Sequence, residues 1–117
     1  MINANELRIG NYVSDNFASD SFFAQVKKLD FTRCHYGNFH SCYSDLKPIP
    51  ITEEWLTKKF IFKQIDKYTF VLNGIFIHKR LSGFIFNIGK RKIKLNSIHQ
   101  LQNLYFALTQ KELTLNE

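Results

Sequence analysis

An α+β fold is predicted for this chain: a curved, mainly antiparallel sheet system with an N-terminal barrel-like part, a C-terminal meander and two helices. Three observations predict it. Short apolar runs are punctuated by turn signals at Gly10-Asn11, Gly37-Asn38 and Asn73-Gly74. Pro48-Ile49-Pro50 interrupts these runs, and helix-start residues follow it directly. The last segment repeats its apolar residues at helical spacing. With 117 residues, 12 Phe and 5 Tyr, the chain can bury an aromatic core within a single domain spanning 1–117.

In chain order, Leu7 and Ile9 lead through Gly10-Asn11 to Tyr12-Val13, a short strand with a bend in it. Phe22 to Leu29 is rich enough in apolar and aromatic residues for a second strand. Phe31–Tyr36 and Phe39–Leu46 flank Gly37-Asn38 as a hairpin. After the prolines, Thr52 is placed as an N-cap, with Glu53 and Glu54 in the first turn where the helix dipole favours negative charge. That helix is predicted over Thr52 to Lys59, with Trp55 buried as a core anchor.

The meander follows as Ile61–Ile65, Tyr68–Leu72, Ile75–His78, Phe84–Ile88 and Arg91–Leu95. Asp66-Lys67, Asn73-Gly74, Ser82-Gly83 and Gly89-Lys90 supply its turns. In the last strand Ile93 and Leu95 alternate with Lys92 and Lys94, so one face is apolar and the other cationic. Ser97 and Gln100 have the spacing of a capping box, which opens a helix over 97–109. Ile98, Leu101, Leu104, Tyr105 and Leu108 form its apolar stripe.

Composition narrows the class of function. No apolar run approaches the roughly 20 residues of a membrane span, and the first residues have neither a basic region nor an apolar one, as a secretory signal needs. Two cysteines are too few for a disulfide framework. These features predict a cytoplasmic protein with no membrane partner. The net charge of +6 is unevenly spread: residues 1–50 are neutral overall, whereas 58–94 hold ten cations and one acid, Asp66. Such a bias attracts phosphate or an acidic protein surface. A solvated basic face that aids solubility is the simpler alternative.

Catalytic patterns are scarce. Cys34, His35, His40 and Cys42 form the one metal-like set, but adjacent Cys34 and His35 point to opposite faces of a strand, which suits two thiols and a part-exposed imidazole better than zinc. On this hairpin Cys34 is expected to face Cys42. His99 falls in the first turn of the last helix, where packing or local hydrogen bonding is the ordinary role. Glu53-Glu54 are explained by the helix dipole rather than acid–base work. Phosphate-loop, dinucleotide and nucleophile-elbow motifs do not occur. No enzyme, cofactor or resident metal is predicted.

The functional signal is therefore cationic. Lys79-Arg80 on one side and Lys90-Arg91-Lys92 with Lys94 on the other flank the aromatic strand Phe84-Ile85-Phe86. Cations track a phosphate backbone, and exposed rings stack bases. A stacking platform needs Phe84 and Phe86, or Tyr68, at the surface. Most of these rings are expected in the core.

Three stretches carry a family resemblance: Asn3 to Asn11 (NANELRIGN), Pro48 to Leu56 (PIPITEEWL) and His99 to Thr109 (HQLQNLYFALT). On them the chain resembles a family of small proteins, largely uncharacterised, from bacteriophages and prophages of Bacteroidota-type bacteria. It departs at Lys59-Phe60-Ile61-Phe62, where the family often has a Gly-Phe pair, and at Gln110, where the family often has glycine after the helix. Without that glycine the last helix is expected to stop less sharply. The resemblance implies a mobile-element protein in a bacterial cytoplasm and transfers no catalytic residues. In size and setting it is also similar to anti-CRISPR proteins. The expected function is a non-enzymatic counter-defence inhibitor that binds a host RNA-guided nuclease, a ribonucleoprotein, through Lys79, Arg80, Lys90, Arg91, Lys92 and Lys94. An accessory protein that binds RNA or DNA directly and a small zinc module are the alternatives.

Overall fold

The computed structural model describes residues 2–19 and 21–115. It has two helical elements and ten strands in two five-stranded antiparallel sheets, as the α+β reading predicts. The first sheet has the order β4-β3-β2-β1-β5, with β1 Tyr12–Asp15, β2 Ala24–Leu29, β3 Arg33–Tyr36, β4 Phe39–Cys42 and β5 Leu46–Lys47. Its two edge strands are consecutive in the chain, joined only by a 3-10 turn at Tyr43–Asp45. So short a link brings the edges together and rolls the sheet into a nearly closed barrel. Strand β1 serves two partners, pairing with β2 through Tyr12-Val13 and with β5 through Ser14-Asp15.

The second sheet is a simple meander, β6 Lys63–Asp66, β7 Thr69–Leu72, β8 Ile75–Arg80, β9 Gly83–Ile88 and β10 Arg91–Leu95. Asn73 and Gly74 both have positive φ, 49° and 82°, the mirror-image turn that matches the twist of paired strands. Phe60, Phe70 and Ile77 are fully buried beneath this sheet with Leu56, Ile98 and Leu101. Each large apolar side chain contributes roughly 1.5–3 kcal/mol on burial. A second cluster, Ile2, Leu7, Val13, Val26, Cys34, Tyr36 and Leu46, fills the barrel.

Several boundaries differ from expectation. Leu7 and Ile9 are not strand. Ala4–Glu6 is a 3-10 turn capped by Asn3, whose Oδ1 accepts from the Asn5 amide, and Leu7 plugs the barrel while Ile9 is exposed. The expected strand to Leu46 is broken after Cys42 by the closing 3-10 turn. The helix after the prolines spans 53–59 and ends in a π turn, Trp55–Lys59, with the Phe60 amide donating to the Trp55 carbonyl. Thr52 does cap it, its Oγ1 accepting from the Trp55 amide, and Trp55 is buried.

Helix α1, Ile98–Thr109, starts differently from a capping box. The Ser97 hydroxyl pairs with His99 Nδ1, and the Gln100 side chain reaches one residue further back, to the Asn96 amide. The helix also ends sharply without glycine. Gln110 adopts the left-handed conformation (φ 62°) and its amide closes on the Phe106 carbonyl. The apolar stripe is rotated from the predicted one: Leu108 is exposed, whereas polar His99 and Gln102 are buried. The cause lies in the segment the helix covers. Gln102 Oε1 accepts from the Tyr12 amide (2.7 Å) and its Nε2 donates to the Gly10 carbonyl (3.0 Å). Asn103 Oδ1 accepts from Arg8 and Asn11, and its Nδ2 donates to the Glu6 carbonyl. The Ile98 amide donates to the Ile49 carbonyl. The three stretches that carry the resemblance therefore meet in space, as a framework that ties the barrel to the helix and to the proline segment.

Candidate partner-binding face

Strand register assigns the cations on the meander's strands to a face. In the paired rows Ile77–Phe86–Ile93 and Lys79–Phe84–Leu95, side chains share the face that covers the core. The alternate row, Asp66–Thr69–His78–Ile85–Lys94, runs across all five strands on the outer face. Lys63–Val71–Phe76 is a second outer row, with Asn87–Lys92 beside it on the last hairpin. Arg80 pairs with Gly83 on the same face. A Cβ at Gly83 would lie 3.7 Å from Lys94 Cε, so the Lys94 stem runs over this glycine toward the Arg80 strand.

The six predicted cations thus do flank β9, but they do not share one face. Arg80, Lys92 and Lys94 point outward. Lys79 and Arg91 have the opposite parity, and Lys90 lies in the β9–β10 turn. Lys79 is also engaged: its Nζ lies 3.1 Å from Glu53 Oε1 in the first turn of the helix. Burial places two of the three stacking candidates in the core, as expected. Phe84 and Phe86 are buried, whereas Tyr68 is 51% exposed and Phe76 is 45% exposed. Phe76 and Lys63 were not singled out from sequence, although the signal was present. Period-two alternation sends Phe76 outward between buried Ile75 and Ile77, and Lys63 belongs to the cationic stretch.

The outer face therefore carries Lys63, Arg80, Lys92 and Lys94 around an exposed ring, with Asp66 as its one acid among the described residues. Hydrogen bonding from the Tyr68 amide holds the Asp66 carboxyl below its ordinary range, so the charge at that corner is fixed. Next to it, Tyr68, Lys79, Arg80 and Leu81 line a groove of about 290 Å³. Four cations with a ring can follow a phosphate backbone and stack a base, or meet an acidic protein surface.

The metal-like set does not converge. Cys34 is buried inside the barrel opposite Ser41, and Cys42 lies opposite Arg33, so the expected Cys34–Cys42 pairing is not formed. Burial pushes the Cys34 thiol up to about 11. His35 Nε2 lies 2.7 Å from Asp30 Oδ2, and its ring is 5.5 Å from that of His40. Among the described residues no three His, Cys, Asp or Glu side chains form a cation-holding group. No helix among the described residues is long and apolar enough to cross a membrane.

His99 has a structural role. Its Nδ1 pairs with Ser97 Oγ, its Nε2 lies 3.5 Å from Glu6 Oε2, and burial lowers its pKa from the ordinary 6.5. The unfolded chain therefore binds a proton that the folded chain resists, and stability falls as pH drops below that ordinary value. Urea midpoints at about pH 7.5 and about pH 5.5 are expected to differ, the lower pH being less stable, and His99→Gln is expected to reduce the difference. Comparison of the chain with protein-family models, curated proteins and solved structures returns no match.

Proposed function

We propose that this chain is a non-enzymatic binding protein made by a mobile element, a counter-defence inhibitor that holds a host RNA-guided nuclease through the outer face of the second sheet. The single observation that carries this reading is the co-facial set Lys63, Arg80, Lys92 and Lys94 around exposed Phe76. A surface of this kind matches the RNA-lined face of a ribonucleoprotein, where phosphates and acidic side chains lie together. Lys79, Lys90 and Arg91 lie at its margins and add to the field. Direct RNA or DNA binding during phage replication or transcription is the second reading, and it is favoured by Tyr68 and Phe76, rings available for base stacking.

Affinity capture of the tagged chain from a bacterial host lysate, with and without RNase and DNase, separates the two. A specific protein partner that survives nuclease treatment is the expected result. Capture of nucleic acid alone, lost on treatment, replaces the first reading with the second.

A further inference from the structure

A cavity of about 450 Å³ opens at one end of the barrel, between the β1–β2 connection and the tip of the β3–β4 hairpin. That volume is typical of small-ligand sites, which favour barrel mouths. Its walls are rings. The centroids of Phe22, Tyr36 and Phe39 lie 6.2–6.5 Å from one another, and Phe17 stands at the mouth. Phe17 and Phe39 are 75% and 59% exposed, so they leave ring faces available at the opening.

The floor is a buried polar chain whose protons can be counted. Asp15 is 5% exposed; its Oδ1 accepts from the Phe17 and Ala18 amides, and its Oδ2 accepts from the Tyr36 hydroxyl at 2.8 Å. Burial pushes the Tyr36 hydroxyl up to about 12, so it keeps its proton. Having donated that one proton to Asp15, Tyr36 accepts from Ser41, 2.6 Å away. Every donor of the floor is spent, and the spare capacity at Asp15 Oδ2 and Ser41 Oγ is acceptor only. At the rim, His40 Nδ1 faces the Arg33 guanidinium at 3.2 Å. Among the described lining residues Asp15 is the one carboxylate, and none is Lys or Arg.

We propose that this mouth binds a guanidinium group on an aliphatic stem, either the side chain of an arginine or a free compound of that chemistry. A planar cation stacks on ring faces and directs separate N–H groups to the two acceptors. Anions meet the carboxylate, and neutral apolar groups leave the spare acceptor capacity at Asp15 Oδ2 and Ser41 Oγ unused. The site is on the barrel, separate from the cationic face of the meander, and does not depend on the function proposed for that face.

The test is amide NMR of the full chain titrated with a Gly-Arg-Gly peptide, its neutral citrulline counterpart, and agmatine. Saturable shifts at the Phe17 and Ala18 amides are expected with the arginine peptide and not with citrulline. Phe39→Ala is expected to weaken binding by about tenfold while the rest of the spectrum stays in place, since that ring is largely exposed. Agmatine binding as tightly as the peptide supports a free guanidinium compound as occupant, and weaker binding supports a peptide. Equal shifts from the two peptides, or no saturable shift at those amides, overturn the proposal.

Discussion

Replacing Gln102 with alanine is expected to destabilise the protein by about 2–5 kcal/mol, more than removing an apolar residue of the predicted helix stripe such as Leu108. The Gln102 side chain is fully buried and answers two backbone groups, the Tyr12 amide and the Gly10 carbonyl, at the point where the chain enters the barrel. Truncation leaves both groups unpaired, at roughly 1–3 kcal/mol each, and adds a small cavity. Gln102→Glu keeps the volume but replaces the donor facing Gly10 with an acceptor, and is also expected to destabilise. Leu108 is 47% exposed, so Leu108→Ala is expected to cost under about 1 kcal/mol. Urea unfolding followed by tryptophan fluorescence reads all three, because Trp55 lies in the core that α1 covers.

That contrast marks where the sequence was legible. Strand β10 was read to its residue limits, because its alternation and flanking turns are local signals. Gly37-Asn38 and Asn73-Gly74 placed both hairpins for the same reason. The rotation of α1 was not legible, since apolar spacing ranks Leu108 above Gln102 and says nothing of two unpaired backbone groups some 90 residues away in the chain. Barrel closure was hidden likewise: β5 is two residues long, and its partner β1 is distant in sequence. At the candidate face, the charge excess was plain from sequence. Its division was not, because it depends on strand register, which sends Lys92 and Lys94 outward and Arg91 to the other side.

The second large effect is expected at that face. Lys63→Glu combined with Lys92→Glu and Lys94→Glu removes three co-facial cations and installs three acids, all at exposed positions on strands. Loss of binding by well over about tenfold is expected, with stability nearly unchanged. If single-stranded RNA is the ligand, losing three phosphate contacts reduces the slope of log affinity against log salt by about two. Lys79→Ala with Arg91→Ala, which removes two cations of the opposite parity, is expected to weaken binding much less. Equal losses in the two variants would show that net charge alone, rather than this face, governs association.

The proposed inhibition is stoichiometric and acts through the outer face of the meander. Its most direct test is titration of the intact chain into a guide-RNA-loaded, RNA-targeting nuclease from a bacterial host, with target cleavage as the readout. Cleavage is expected to fall with the molar ratio of chain to nuclease and then stop changing with time, and the triple glutamate variant is expected to leave it near its uninhibited rate. Full cleavage at large molar excess would overturn stoichiometric inhibition, as would inhibition that progresses with time at trace amounts of the chain.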